Sequence, residues 1–321
     1  MKKIIAILLT LVTLLSLTSC ASAPKPDDKR VVLTIGGEKI YYDYFKYVFL
    51  NTKADMDRGD DNYWTKNPEQ LEILKASVLE TLVHNRAIQQ LAKKHKIKLS
   101  KDEKNSILAD IEALKDADDD YKNGMKEAFL TEYSLYYINS FTTLWGKIYD
   151  HVTSPESGLI KSDDKTIKAD IPINFRRIRY VLIEFTPENK DEKREAIEEV
   201  LEKAQDGVDF VYLIEEYCDD PDMVSYAEEG SYFTRGQFVS EAEDEIEKLK
   251  ENEMSGVLEL SAGFFIIQRL PLDNEYIEEN FSDFVNMYTA RIFNEMVAKL
   301  EKNMKIKTSE LWDNLSINDV K

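Results

Sequence analysis

Cysteine and histidine are both scarce in this chain. Cys20 and Cys218 are the only cysteines among 321 residues, which excludes a framework of several disulfides. The three histidines are His84, His95 and His151. His84 and His95 lie in one helical stretch, at a spacing that favours surface or packing roles over metal ligation. No glycine-rich phosphate loop and no Ser/His/Asp arrangement stands out, so we expect neither a metal nor a cofactor.

Basic residues are too few to balance the acidic ones. The chain has 42 Lys and Arg against 61 Asp and Glu, which gives a net charge of -19. A nucleic-acid-binding protein needs a basic face that displaces counterions, and this deficit argues against one. The composition, 43% hydrophobic and 32% charged, still allows a folded core, and the length suits two domains.

The first residues form the longest apolar run of the chain. Lys2 and Lys3 precede residues 4–17, which have the length of a signal-peptide core and are short for a membrane span. The run ends in LTSC, which looks like a bacterial lipobox. It predicts a signal peptide at 1–19, lipid on Cys20, a tether at 20–30 and an extracytoplasmic position on the cell membrane. The alternative is an ordinary secretory signal with a cysteine near its cleavage site.

Local patterns predict a hairpin followed by helices in the first half. Gly36-Gly37 separates two short strands within residues 31–42. Asp43 is a predicted cap for a helix whose buried side carries Tyr41, Phe45, Val48 and Phe49. Apolar residues at steps of three and four predict a helix over 69–95. Ser100 and Glu103 form a capping box for a further helix that ends near Leu114.

Aromatic residues recur at every fourth position between 129 and 149. A helix turns about 100° per residue, so each step drifts by about 40° around the axis and one flat core cannot cover the whole row. One interpretation is a long helix packed between several elements, and the other is a groove for unfolded chains. The row consists of Phe129, Tyr133, Tyr137, Phe141, Trp145 and Tyr149.

The second half has a different pattern. Residues 152–172 have the composition of a linker. Residues 175–270 then predict a strand, two helices, a strand, a helix and two strands. A helix is expected over 275–302, and the apolar end of the chain at 311–320 is expected to dock onto the fold.

Three segments of this second half resemble a parvulin-type peptidyl-prolyl isomerase domain. They are RGQF at 235–238, NEMSGVLEL at 252–260 and GFFII at 263–267. Residues 31–45 and 78–103 resemble the chaperone domain of the SurA and PrsA foldases. The resemblance implies an α+β protein with a mostly helical, split chaperone domain at 31–165 plus 272–321. A parvulin-like domain at 172–271, with a small antiparallel sheet flanked by helices, is inserted between its halves.

The resemblance also implies where the isomerase site lies. Active parvulins place two histidines on the floor of the site, where this chain has Tyr180 and Phe265, and Asp220 takes the nearby cysteine or aspartate position. A serine of some members corresponds to Ala262, the methionine of the pocket to Phe238 and its phenylalanine to Ala242. Phe265 cannot make the hydrogen bonds of an imidazole, so weak or absent turnover is expected. Expected client-binding residues are Phe233, Phe238, Tyr133, Tyr137 and Phe141.

The predicted function is a lipid-anchored foldase or chaperone for unfolded secreted polypeptides. No nucleic-acid partner is expected, and the sequence leaves open whether the protein forms a homodimer. The alternatives are an active prolyl isomerase and a solute-binding lipoprotein, which would need two α/β lobes.

An acidic stretch resembles part of a calcium loop. Asp116, Asp118, Asp120 and Glu127 match ligand positions, but Tyr121 stands where the sharp turn needs glycine. A solvated acidic turn is the favoured interpretation.

Overall fold

A computed structural model describes residues 23–60, 62–114, 119–186 and 188–320. The predicted signal peptide and Cys20 lie outside these residues, as do Asp116 and Asp118 of the calcium-loop pattern. The described chain is mostly helical with two small antiparallel sheets, which confirms the predicted α+β class. Within these ranges, every helix is too short or too polar to cross a membrane.

The elements follow one another in the order predicted for most of the chain. They are β1 (Val31–Ile35), β2 (Glu38–Tyr41), α1 (Tyr42–Asp57), α2 (Tyr63–Lys66), α3 (Gln70–Lys94), α4 (Lys101–Leu114), α5 (Asp119–Glu127), α6 (Glu132–Thr153), α7 (Asp164–Asn174), β3 (Phe175–Ile183), α8 (Lys190–Gln205), α9 (Phe210–Tyr217), α10 (Pro221–Ser225), β4 (Ser231–Thr234), α11 (Ser240–Lys248), β5 (Leu258–Leu260), β6 (Gly263–Leu270), α12 (Asn274–Glu279), α13 (Phe281–Glu301), β7 (Ile306–Thr308) and α14 (Glu310–Asp313).

Spatial contacts divide the chain into two compact units. Met1–Ile148 and Leu300–Lys321 make up unit 1, and Tyr149–Lys299 makes up unit 2. The two ends of the chain therefore share one unit, while a continuous stretch forms the other. The domain boundaries expected from the sequence, 31–165 plus 272–321 and 172–271, stay a prediction.

The sheet of unit 1 joins the beginning of the chain to its end. β1 pairs with β2 across the Gly36-Gly37 turn, where both glycines have positive φ, +59° and +87°. β7 adds to the other edge of β1 in antiparallel register. The following tail buries Trp312, Leu315 and Val320 in the same core as Phe45. Docking of the chain's end is thereby confirmed.

Two predicted caps in unit 1 have different outcomes. Asp43 does not cap α1: it lies in the first turn and accepts the backbone N–H of Asp27 at 2.7 Å and of Asp28 at 3.3 Å. Asp43 thus fastens the preceding segment rather than the helix end. The capping box is confirmed, because the Ser100 N–H donates to Glu103 at 2.6 Å and the Glu103 N–H to Ser100 Oγ at 3.1 Å.

The single long aromatic helix was a wrong prediction. Helix α5 ends at Glu127, and Phe129 has a left-handed backbone with φ of +56°. A new helix then starts because Thr131 and Ser134 satisfy each other's backbone N–H groups, at 3.1 and 2.8 Å. Only the aromatic residues from Tyr133 onward share α6.

The predicted linker and the predicted helix over 275–302 also need correction. Residues 164–172 of the predicted linker belong to α7, because Asp163 accepts the Thr166 N–H at 3.1 Å and the helix buries Ile167 and Ile171 on one side. The stretch 275–302 is two helices, α12 and α13, that break at Asn280.

The sheet of unit 2 has the strand order β4-β3-β6-β5, with every pair antiparallel. Alternate side chains of β3 and β6 point to opposite faces. One face contributes Val181, Ile183, Phe264 and Ile266 to a core with α8 and α9. The other face carries the residues of the predicted isomerase site.

Candidate functional site

Tyr180 and Phe265 are neighbours on one face of the unit 2 sheet. Tyr180 lies opposite Ile267, and Phe265 lies opposite Leu182, two residues further along β3. The two rings are 5.5 Å apart between centroids and tilted by 57°. Both are partly buried against Ile178, Phe233, Ile246 and Ile267. The two positions that the resemblance assigned to histidines thus form an aromatic pair.

Asp220 lies beside this pair, as the sequence implied. The Tyr180 hydroxyl donates to Asp220 Oδ2 at 2.5 Å. The other carboxylate oxygen accepts the N–H groups of Asp222 at 2.9 Å and Met223 at 3.4 Å, so Asp220 is the N-cap of α10. The acidic cluster at 219–222 therefore lies between the end of α9 and the start of α10.

Cys218 completes the polar edge of the site without being exposed as a nucleophile. Its sulfur accepts the Leu182 N–H at 3.3 Å, and its thiol faces the Tyr180 carbonyl at 3.7 Å. Burial raises the pKa of the Cys218 thiol, which disfavours the thiolate. The thiol therefore supports the packing of α9 against β3.

Phe233 and Phe238 form an aromatic wall at one side of the site. Their rings meet edge to face at 5.0 Å. Phe233 is buried, whereas Phe238 is 40% exposed and so presents apolar surface to solvent. Of the two alanines that the resemblance placed at the pocket, Ala242 is buried and Ala262 is exposed, immediately before β6.

A buried carboxylate that sequence reasoning missed holds this wall in place. Glu243 is 7% exposed, and one of its oxygens accepts the backbone N–H groups of Gly236, Gln237 and Phe238 at 2.8, 3.1 and 3.1 Å. Gly236 has a φ of +89°, which turns the three N–H groups toward one point. Glycine in RGQF was visible in the sequence, but the carboxylate seven residues later had no distinguishing pattern.

The site combines one phenol, one carboxylate and apolar rings, and the reaction to compare it with is rotation about a prolyl peptide bond. That rotation has a barrier of about 18–20 kcal/mol, and lowering it requires polar groups matched to the twisted amide. Here one phenol is already engaged by Asp220, and the facing ring is Phe265. Elsewhere in the described residues, no cluster of three or more His, Cys, Asp or Glu is placed to hold a metal ion.

The aromatic row of α6 borders two clefts in unit 1. The polar cleft, about 460 Å³, is lined by Gly37, Glu38, Lys39, Tyr41, Arg86, Gln89, Tyr133 and Tyr137. The apolar cleft, about 240 Å³, is lined by Tyr44, Tyr47, Val48, Asn51, Thr52, Asp55, Thr81, Asn85, Ile138 and Phe141. The rings of Tyr44, from the apolar cleft, and Tyr137, from the polar cleft, lie 4.2 Å apart.

The aromatic row divides between core packing and cleft lining, and a role of the clefts in binding unfolded chains stays a prediction. Tyr133 and Tyr137 pack partly against the unit 1 core and also line the polar cleft, and Phe141 lines the apolar cleft. Tyr149, in unit 2, instead packs edge to face on Phe293 at 5.1 Å. The row divides because a straight helix turns successive fourth residues away from any one surface.

Buried tyrosines predict a loss of stability at alkaline pH. Burial raises the pKa of Tyr133 to about 12 and raises those of Tyr44 and Tyr180 further. The folded chain keeps these protons where the unfolded chain loses them, so their contribution is complete below pH of about 10 and is lost as the pH rises toward 12. Urea unfolding at pH 8 and pH 11, with phenolate absorbance at 295 nm, measures this. Ionisation of all 17 tyrosines with a common midpoint near pH 10 in the folded protein would contradict it.

Two protein-family models match the chain. Residues 1–130 match the SurA-like N-terminal domain, and residues 160–270 match the PPIC-type PPIase domain. These matches confirm the resemblance drawn from the sequence, including its two parts and their order. A search of curated proteins gave no match.

Several solved structures resemble this chain, with low sequence identity and low TM-scores. PrsA from Bacillus subtilis is 20% identical, with 90% of this chain and 100% of that chain covered and a TM-score of 0.30. PrsA from Bacillus anthracis is 18% identical, with 74% and 100% covered and a TM-score of 0.31. The parvulin NmPin of Nitrosopumilus maritimus is 27% identical, with 31% and 99% covered and a TM-score of 0.26. The domain assignment therefore depends on the two family models.

Proposed function

We propose that this chain, which carries a SurA-like N-terminal domain and a PPIC-type PPIase domain, is a lipid-anchored extracytoplasmic foldase that binds unfolded secreted polypeptides. The observation that carries the proposal is the pair of clefts in unit 1, which Tyr133, Tyr137 and Phe141 line with aromatic surface. Tyrosine offers apolar area with a polar tip, so it accommodates varied segments without a strict sequence requirement.

The membrane anchor in this proposal depends on the LTSC motif and Cys20 alone. The mature protein would start at Cys20 with a diacylglycerol on its sulfur, and the residues up to 30 would tether the fold to the membrane. Mass spectrometry of the N-terminal peptide from cells tests this. A peptide that starts after Cys20, or one with an unmodified cysteine, would show an ordinary secreted protein without a lipid anchor.

Loss of cleft aromatics is expected to weaken client binding. Replacing both Tyr133 and Phe141 by glutamine removes two aromatic surfaces, and we expect about tenfold weaker binding of an unfolded model protein. The measurement is suppression of aggregation by the mature chain, followed by light scattering over a range of concentrations. Tyr212→Gln, at a 50% exposed tyrosine of unit 2, is the matched control.

Two outcomes would contradict the chaperone role. One is a wild-type chain that does not suppress aggregation at any ratio to client. The other is a double variant that stays folded and suppresses aggregation as well as wild type. Thermal stabilisation by one small metabolite, without suppression, would instead indicate a solute-binding lipoprotein.

The parvulin-like domain is proposed to bind chains with little turnover. A preorganised polar group at a transition state is worth about 10²–10³-fold in rate, and Phe265 supplies none at its position. We therefore expect prolyl isomerisation by the mature chain at least about 100-fold slower than by a histidine-containing parvulin domain. A protease-coupled assay with both proteins side by side measures the ratio. Equal rates would establish the alternative, an active isomerase.

A further inference from the structure

The polar cleft of unit 1 carries positive charge that has no acidic partner. The Arg86 guanidinium donates to the neutral amide oxygen of Gln89 at 2.5 Å. Its Nε is buried and makes no hydrogen bond with any described residue. No ion pair to Arg86 or Lys39 occurs in the described part of the chain, although the protein has a net charge of -19. Arg86 and Lys39 thus place two cations without an ion pair in the lining of one cleft.

The neighbours of Arg86 hold the guanidinium in a defined position. The Gln89 amide nitrogen donates to the Tyr137 hydroxyl at 3.1 Å, which fixes the amide with its oxygen toward Arg86. Arg86 and Gln89 are three residues apart on α3 and so share one side of the helix. A positioned guanidinium loses little entropy when it binds a planar anion, since its donors are already arranged as a fork.

Two further donors face the same space. Tyr41 and Tyr133 meet edge to face at 6.1 Å, and neither hydroxyl is hydrogen-bonded to any residue that the structure describes. Lys39 and Tyr41 share one face of β2 because strand side chains alternate. Glu38 also lines the cleft, but it makes no ion pair with Arg86 or Lys39 in the described residues. The raised pKa of Tyr133, about 12, keeps its phenol protonated and able to donate.

We propose that the polar cleft binds an acidic side chain of an extended client segment, with Arg86 as the carboxylate partner and the rings of Tyr41, Tyr133 and Tyr137 around it. The proposal rests on the foldase function above and adds a preference to it. A carboxylate matches both the unpaired guanidinium and the free phenols. The overall acidity of the protein repels acidic segments, so a preference for them has to come from a local site.

Two end-blocked peptides with an uncharged dye test the proposal. They share one aromatic and aliphatic sequence and differ at a single position, glutamate in one and glutamine in the other. We expect wild-type mature protein to bind the glutamate peptide about tenfold more tightly by fluorescence anisotropy, as a charge-assisted hydrogen bond of this kind predicts. In Arg86→Gln the ratio of the two affinities should fall to about one. Lys94→Gln removes the same charge from an exposed position of the same helix and should keep the wild-type ratio.

Each other outcome overturns the proposal. Equal affinities in wild type, or an unchanged ratio in folded Arg86→Gln, would remove the carboxylate site. A glutamine peptide with a free C-terminus that binds as tightly as the glutamate peptide would assign the cleft to chain ends instead. Self-association that Arg86→Gln abolishes, without peptide binding, would assign it to a second copy of the chain. Because aggregation suppression is measured separately, these failures leave the foldase function standing, and only loss of suppression removes both.

Discussion

Replacing Trp312 by alanine is expected to lower the free energy of unfolding of the protein by about 3–5 kcal/mol. Trp312 is 7% exposed, and its ring meets Phe45 edge to face at 5.9 Å in the unit 1 core. The Ser309 hydroxyl accepts the backbone N–H of Trp312 at 3.4 Å and donates to the Val32 carbonyl at 2.8 Å. Loss of the indole therefore leaves a cavity where the chain's end is joined to β1. Urea unfolding followed by far-UV circular dichroism measures the change.

Trp145→Ala is the control for this substitution. Trp145 is the same residue type on α6 and is 40% exposed, so its removal should cost about 1 kcal/mol or less. Equal effects of the two substitutions would show that the end of the chain does not contribute to the unit 1 core in solution.

Breaking the buried charge cluster of unit 2 should cost about 3 kcal/mol or more. Arg291 on α13 is 6% exposed and donates to Asp170 at 2.6 Å and to Glu295 at 2.5 Å. Arg291→Met leaves Asp170, 18% exposed, without its cation, and an unpaired carboxylate in this setting is costly. The double variant Arg291→Met/Asp170→Leu should recover most of that stability, because a matched apolar pair replaces the ions. Thermal or urea unfolding of the wild type and these two variants measures both effects.

An exposed ion pair on α7, the helix that also carries Asp170, provides the comparison. Lys168 donates to Glu278 at 2.6 Å, with the two side chains 44% and 62% exposed. Lys168→Met should change the free energy of unfolding by less than about 1 kcal/mol, since solvent screens such pairs. If Arg291→Met costs no more than Lys168→Met, burial does not strengthen the cluster and α7 does not depend on it.

Local sequence was sufficient where the stabilising contacts are local. The hairpin follows from two glycines that tolerate positive φ, and the start of α4 follows from Ser100 and Glu103, three residues apart. The same local chemistry explains two helix starts that the sequence analysis did not predict, those of α7 and α6. Asp163 with Thr166 begins α7 inside a stretch of linker composition, and Thr131 with Ser134 begins α6 inside the aromatic row.

The candidate site shows the limit of that reasoning. Tyr180, Asp220 and Phe265 were named only because a family resemblance linked them, and nothing in their spacing predicts a shared site. The hydrogen bond from Tyr180 to Asp220 joins residues 40 positions apart. Glu243 and Arg86 were missed because a carboxylate under a glycine turn, or a guanidinium beside a neutral amide, has no sequence signature of its own.

The amino-acid sequence by itself determined which segments become strands and helices, since caps, turns and apolar spacing act within a few residues. It also determined the acidity that argues against a nucleic-acid partner. Only the tertiary structure decided that β7 pairs with β1, that Tyr180 lies against Phe265, and that Arg86 shares a cleft with Tyr133. Those contacts join distant parts of the chain, and they form because burial of the whole core outweighs the entropy of bringing such segments together.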